Sequence, residues 1–310
     1  MAKIDLNDYL EKLTEPEDRE TVANRAYQRE LFEQYVTKDG NFPEQRAQLL
    51  EDFRAGKELT GPKGLRRKLG AFDLEYFGRA ISLAYAEHGA EVAVIAKNHD
   101  GSGILADLEK TGTPGHYFSC DIGDESSRRG LIAEVVKQLG GRLDILVNNA
   151  GMQFYETIEN CTEDNWKKSE ALMLDAPYDF SKQAIPFMKA QHNGKIIMIS
   201  SICAIREGGA NFGYGVMKAG VAAMARCMAN SLAQYNIQVN AIAPGIIRTD
   251  LTERQGCFED HRYKSTIQKY PAGRLGEPEE IAGVALFLGS NLSSFMDGQL
   301  LIVDGGFSGN

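Results

Sequence analysis

The chain has 310 residues, 43% hydrophobic and 25% charged, an ordinary globular balance that excludes general disorder. Its formal net charge of -9 argues against a broad nucleic-acid footprint. No apolar run approaches the roughly 18 residues of a membrane span, and the opening MAKIDLNDYLEKL is not patterned as a signal peptide. Five scattered cysteines without a C-x-x-C pair fit a reduced, cytoplasmic protein, and five scattered histidines give no metal-ligand spacing.

Residues 1–58 read as a helical N-terminal extension. Leu6, Tyr9, Leu10 and Leu13 share one helical face, Ala26, Leu31, Phe32 and Tyr35 a second, and Leu49, Leu50 and Phe53 a third, with Pro43 marking a break. Residues 59–77 read as a linker, and their basic cluster, Lys63, Arg66, Arg67 and Lys68, as a solvated turn rather than a phosphate site. From Gly78 the pattern alternates. Helices are predicted at 78–88, 102–110, 125–139, after Trp166, at 213–235 and at 278–289. Strands are predicted at 91–96, 116–120, 143–149, 195–200, 237–243 and 300–306. Short unalternating apolar runs such as EVAVIA suit strands buried on both faces. Strand-helix repetition at this spacing predicts an α/β domain over 78–310 with a doubly wound parallel sheet.

One constellation carries chemistry. Ser201 ends the strand KIIMIS, and Tyr214 and Lys218 lie one helical turn apart. A phenol near pKa 10 is a poor base at neutral pH, and a nearby ammonium stabilises its phenolate. A serine at a strand end can hydrogen-bond a carbonyl oxygen. The three together can move a proton between an alcohol and solvent while a hydride leaves or arrives.

With these residues the stretch 78–310 resembles the short-chain dehydrogenase/reductase family. Ser201, Tyr214 and Lys218 match its catalytic spacing. Asn148-Asn149-Ala150-Gly151 matches its NNAG motif, which in the family steadies the sheet and lies along the cofactor. Asp121 and Ile122, in CDI, sit where the family contacts adenine. Pro244-Gly245 with Thr249 matches the segment beside the nicotinamide, and Val303-Asp304-Gly305-Gly306 the usual ending. The resemblance implies a Rossmann-like fold, an NAD or NADP cofactor, a small-molecule substrate, alcohol/ketone interconversion and a homo-oligomer, dimer or tetramer, pairing helices at 166–190 and 213–235. NIQVNAIAPG, PAGRLGEPEEIAGVALFL and MDGQLLIVDGG are most similar to the gluconate and deoxygluconate dehydrogenase branch, which implies a sugar acid or polyol.

Three departures qualify this. The family opens with a buried strand and T-G-x-x-x-G-x-G, whose glycines let backbone N–H groups approach the pyrophosphate. Here Gly78 matches the last glycine, but the first strand and most of the glycine loop read as missing. That would leave a gap of about 9–10 Å in the sheet, to be closed, filled or left with unpaired backbone. Met173 stands where the family usually has an asparagine that relays protons. After strand 91–96, Ala96 and Lys97 replace the acid of NAD binders, and Lys97 favours a 2′-phosphate, hence NADP. Alternatives to an enzyme are therefore a non-catalytic reductase-derived scaffold and a rearranged protein with a disabled dinucleotide site. Residues 205–213 and 250–270 are expected to frame the pocket, and Arg206, Glu207, Asn211, Arg254 and Arg262 there suit a hydroxylated or acidic substrate.

Overall fold

The structure, a computed structural model, describes residues 68–72, 77–97, 100–206, 210–249 and 266–309. The helical extension expected over 1–58 lies outside the described residues, as do Glu207, Arg254 and Arg262.

Seven parallel strands form one sheet. They are β1 (Lys68–Phe72), β2 (Glu91–Ala96), β3 (Gly115–Ser119), β4 (Ile145–Asn148), β5 (Gly194–Ile199), β6 (Ile237–Pro244) and β7 (Leu300–Val303), in the order β3-β2-β1-β4-β5-β6-β7. Among the described residues the α-helices are α1 (Gly78–Glu87), α2 (Ser102–Lys110), α3 (Glu125–Arg128), α4 (Leu131–Gln138), α5 (Glu163–Glu170), α6 (Ala176–Gln191), α7 (Phe212–Leu232) and α8 (Pro278–Gly289).

The expected loss of the first strand is corrected here. Lys68–Phe72, placed by sequence inside a linker, fills the gap. It pairs in parallel with Glu91–Ile95 of β2 on one side and, through Leu69–Ala71, with Ile145–Val147 of β4 on the other. Lys68 and Gly70 interrupt its apolar character, so it carries little strand signature of its own. Its neighbours supply the reason it is recruited. Both are buried strands, and each would otherwise face the gap with a row of unpaired N–H and C=O groups. Residues 73–76, where most of the glycine loop would fall, lie outside the described residues, and only the count along the sequence bears on it. With the last glycine of the family motif set on Gly78, Ala71, Phe72 and Tyr76 take the places of its threonine and first two glycines. The connection has its full length but not its glycines.

Strand side chains alternate between two cores. Ala93, Ile95, Leu146, Ile196, Met198, Val239 and Ala241 pack with Val135, Phe180 and Val221 of α4, α6 and α7. Val92, Val94, Ile145, Val147, Ile197 and Ile199 pack on the other face with Ile81, Leu108 and Ala285 of α1, α2 and α8. On that second face the Tyr85 hydroxyl donates to the Ala285 carbonyl, tying α1 to α8.

Two predicted helices are broken. The one at 125–139 divides at Gly130, whose φ of 77° is left-handed. The long helix after Trp166 widens into a π-turn over Ala171–Asp175, where the Ala176 N–H reaches the Ala171 carbonyl. Pro177 is the cause: it has no N–H to offer the Met173 carbonyl one turn back, so the regular ladder cannot continue there. Met173 itself is fully buried.

Candidate active site

The strand order reverses between β1 and β4, and in open α/β sheets ligands bind beyond the carboxyl ends of strands at such a point. Two cavities lie along that edge.

The first, of about 340 Å³, is lined by Ser201 and Tyr214 together with Pro244, Gly245 and Thr249. Ser201 follows β5 in an extended conformation, and its Oγ accepts the Cys203 N–H at 3.1 Å. Its own O–H is therefore the group it can donate. Tyr214 lies in the first turn of α7 and Lys218 one turn on, with Nζ 5.7 Å from the Tyr214 ring centroid. Lys218 is only 3% exposed, and its Nζ donates to the Ile199 carbonyl at 2.8 Å. The Ser200 hydroxyl donates to the Lys218 carbonyl at 2.7 Å. These two bonds stitch the end of β5 to the second turn of α7, the two elements that bring Ser201 and Tyr214 to one cavity. Gly245 is needed where it stands, because a Cβ there would lie 2.9 Å from the Asp304 Cα. The Asp304 carboxylate accepts the N–H groups of Gly306 and Ser308, and burial raises its pKa less than these bonds lower it. The VDGG ending is thus a turn that leads into Phe307, which lines this cavity.

The second cavity, of about 840 Å³, is lined by Lys97, Asp121, Ile122 and Gly151, with Asp124, Phe154, Lys167 and Lys168. Lys97 at the end of β2 and Asp121 after β3 form an ion pair at 2.7 Å. That hydrogen bond raises the lysine's pKa, so it stays charged. Asp124 caps α3 by accepting the Ser126 and Ser127 N–H groups, and hydrogen bonds from both serines hold its carboxyl at about 2.

Of the residues expected at the site, Gly78, Asn149, Ala150 and Lys218 line neither cavity, and nor do the motif residues Asn148 and Val303-Asp304-Gly305-Gly306. Gly78 opens α1. Asn149 and Ala150 are buried after β4, beside Asn148, whose Nδ2 donates to Ser181 Oγ at 3.3 Å. Residues not singled out also line the first cavity: Phe77, Gln153, Tyr155, Lys269, Tyr270 and Phe307. Lys269 and Tyr270 fall within the 250–270 segment expected to frame the pocket; Gln153, Tyr155 and Phe307 follow the carboxyl ends of β4 and β7, the position that could have marked them.

The comparisons with known proteins agree with this geometry. The family described as "Enoyl-(Acyl carrier protein) reductase" matches residues 70–308, starting inside β1. The 3-oxoacyl-[acyl-carrier-protein] reductase FabG of Thermotoga maritima is 34% identical over 233 residues, 74% of this chain and 92% of that protein. The 2-dehydro-3-deoxy-D-gluconate 5-dehydrogenase of Pseudoalteromonas atlantica is 32% identical over 264 residues, 84% of this chain and all (100%) of that one. A crystal structure from Agrobacterium tumefaciens, assigned as a 2-deoxy-D-gluconate 3-dehydrogenase with bound NADP, superposes with a TM-score of 0.73 at 30% identity. It covers 82% of this chain and 100% of its own. An NAD+-bound xylitol dehydrogenase gives 0.74 at 26% identity over 79% of this chain and 100% of its own. The chain belongs to the short-chain dehydrogenase/reductase family.

Proposed function

We propose that the protein is an NAD(P)-dependent oxidoreductase interconverting a secondary alcohol and a ketone in a small polar substrate of the sugar-acid or polyol class. The observation that carries this reading is the convergence of Ser201, Tyr214 and the β6 end, Pro244-Gly245, on one cavity, with Lys218 beneath the tyrosine.

Three features fit a nicotinamide dinucleotide. The second cavity is wide enough for an adenosine and presents Lys97 and Asp121, a cation for a 2′-phosphate and a carboxylate for adenine or ribose. The first N–H groups of α1 are capped by no side chain, and no acidic residue stands in its first turn, which suits a pyrophosphate. Pro244, Gly245 and Thr249 line the catalytic cavity where the nicotinamide end would lie. Ile122, Asn149, Ala150 and Gly151 would form the floor between the two. Lys97 supports NADP over NAD. When bound, the cofactor supplies or accepts the hydride.

The chain's own residues do the rest. Tyr214 gives a proton to the carbonyl oxygen in reduction or takes it from the hydroxyl in oxidation. The Ser201 hydroxyl donates to the same oxygen and holds it against the tyrosine. The Lys218 ammonium, fixed by the Ile199 carbonyl, stabilises the phenolate. No side-chain relay through residue 173 is available, because Met173 offers neither a strong donor nor a strong acceptor.

Four cysteines among the described residues are free thiols, in keeping with a reducing, cytoplasmic setting. None of the described helices is long and apolar enough to cross a membrane. Family membership supports a homo-oligomer. Residues 1–58 fit a separate helical extension, followed by the 59–77 segment, of which Lys68–Phe72 enters the sheet.

The test is a titration with NADPH and NADH followed by cofactor fluorescence. Saturable binding, tighter for NADPH, is the expected outcome. A cooperatively melting protein that binds neither would turn the reading to a non-catalytic scaffold.

A further inference from the structure

We infer that Arg206 and Lys269 bind a carboxylate on the substrate, which makes the protein selective for hydroxy and keto acids over neutral polyols. The inference rests on the oxidoreductase reading above and goes beyond it by naming the residues that set specificity. Among the described residues, the lining of the catalytic cavity holds Arg206 and Lys269 as its cations and contains no Asp or Glu. This concentration of positive charge occurs in a chain whose net charge is -9. A cleft of one sign focuses its field into the concavity and draws in the opposite charge.

The two cations hang on one wall. Arg206 Nη1 donates to the Phe307 carbonyl at 3.0 Å, and its guanidinium carbon lies 5.1 Å from the centre of the Phe307 ring. That ring stacks on Tyr270 at 4.9 Å between centroids. Tyr270 is 4% exposed, and its hydroxyl accepts the Ile246 N–H at 3.0 Å. Lys269 is the residue immediately before it. The glycines of the closing turn hold the wall in place: Gly306 has a φ of 87°, and a Cβ there would meet Pro271 at 3.0 Å. The guanidinium is thus pre-oriented by stacking and by its carbonyl anchor, which limits the rotamer entropy lost when it grips a planar carboxylate.

On the rim the cavity offers neutral polar groups. Gln153 Nε2 donates to Asn211 Oδ1 at 2.6 Å, an amide pair suited to hydroxyls. A volume near 340 Å³ lies at the small end of ligand cavities and suits a compact molecule. Cations on one wall, amides on the rim and the Ser201–Tyr214 pair together describe a short hydroxylated acid.

The experiment compares the full-length protein with Arg206→Gln, Arg206→Lys and Lys269→Gln on four- to six-carbon hydroxy acids, each paired with its methyl ester. Dinucleotide binding is measured first, so that its absence sinks the oxidoreductase reading by itself. The acid and ester pairs are then compared by calorimetry without nucleotide. In the binding-competent protein, at least one acid is expected to exceed its ester in kcat/KM by roughly ten- to hundredfold, mainly through KM. Arg206→Gln and Lys269→Gln should each collapse that ratio toward one, and Arg206→Lys should restore part of it. Loss of acid and ester in equal proportion, or no acid favoured over its ester in turnover or binding, overturns the inference. A sugar phosphate preferred over every carboxylate also overturns it, by giving the two cations to phosphate.

Discussion

The two ends of the ligand edge are built to different standards. Around β4, β5 and β6, the chain keeps the family's NNAG, Ser201–Tyr214–Lys218 and Pro244-Gly245 residues, with Met173 the exception, and hydrogen bonds from Ser200 and Lys218 lock strand to helix. Around β1 and β2, it keeps the backbone plan but changes the side chains. A strand sits where one is needed, yet Phe72 and Tyr76 stand in the glycine positions, and Lys97 replaces the acid. Proton-transfer geometry depends on side chains, so it cannot drift without loss of chemistry. The sheet depends on backbone pairing, which tolerates almost any sequence that can be extended. The difference separates what a fold demands from what a reaction demands.

The largest effect should come at the catalytic end. Tyr214→Phe is expected to lower kcat by about a hundred- to ten-thousandfold while leaving dinucleotide affinity close to wild type, as read from steady-state rates and fluorescence titration. A mild effect would break the comparison by showing that this end is as relaxed as the other. Next comes Gly245→Ala. The added Cβ meets the Asp304 backbone and should cost roughly 1–3 kcal/mol in urea unfolding, with the catalytic cavity distorted. At the other end, Tyr76→Gly restores one family glycine. If a backbone N–H then reaches the pyrophosphate, NADPH should bind roughly tenfold tighter. Unchanged affinity would mean that the aromatic residue is no handicap.

The smallest effect concerns acid stability. Arg274 and Glu280 form a bidentate pair at the start of α8, and the arginine holds the Glu280 carboxyl at about 2. Because the folded-state value is lowered, the contribution is present above the unfolded carboxylate range near 4.3 and fades as pH falls toward 2. Arg274→Ala should therefore be slightly less stable than wild type at pH 7 and indistinguishable at pH 2. Equal stability at both values would show the pair to be neutral, as exposed pairs often are.

Most of the fold is legible in the sequence because buried parallel strands announce themselves. EVAVIA and LDILVNN need only their apolar runs, and the proposed catalytic set rests on the Ser201, Tyr214 and Lys218 spacing. β1 escapes this reading for a physical reason. Its place is decided by the open edges of β2 and β4, not by KLGAF itself, so no local window contains the signal. The π-turn was hidden differently, since Pro177 acts on a carbonyl one turn back rather than at its own position. Lys269, Tyr270 and Phe307 meet only through the closing turn, a contact between distant segments that periodicity does not register.

The central strand also has a consequence for how the molecule assembles. β1 joins β2–β3 to β4–β7 through pairings that run from Leu69 to Val92 on one side and to Ile145 on the other. The first closes 23 residues, as few as the β2–β3 pairing, but the second closes 76, more than any other pairing in the sheet, and loses the most chain entropy before any reward arrives. The β1–β3 and β4–β7 blocks should therefore acquire structure first, with the β1–β4 junction sealing last. Amide exchange would report this as a seam: the N–H groups of residues 69–71 should open at a lower free energy than those of β5 and β6 on either side of Ile197 and Asn240.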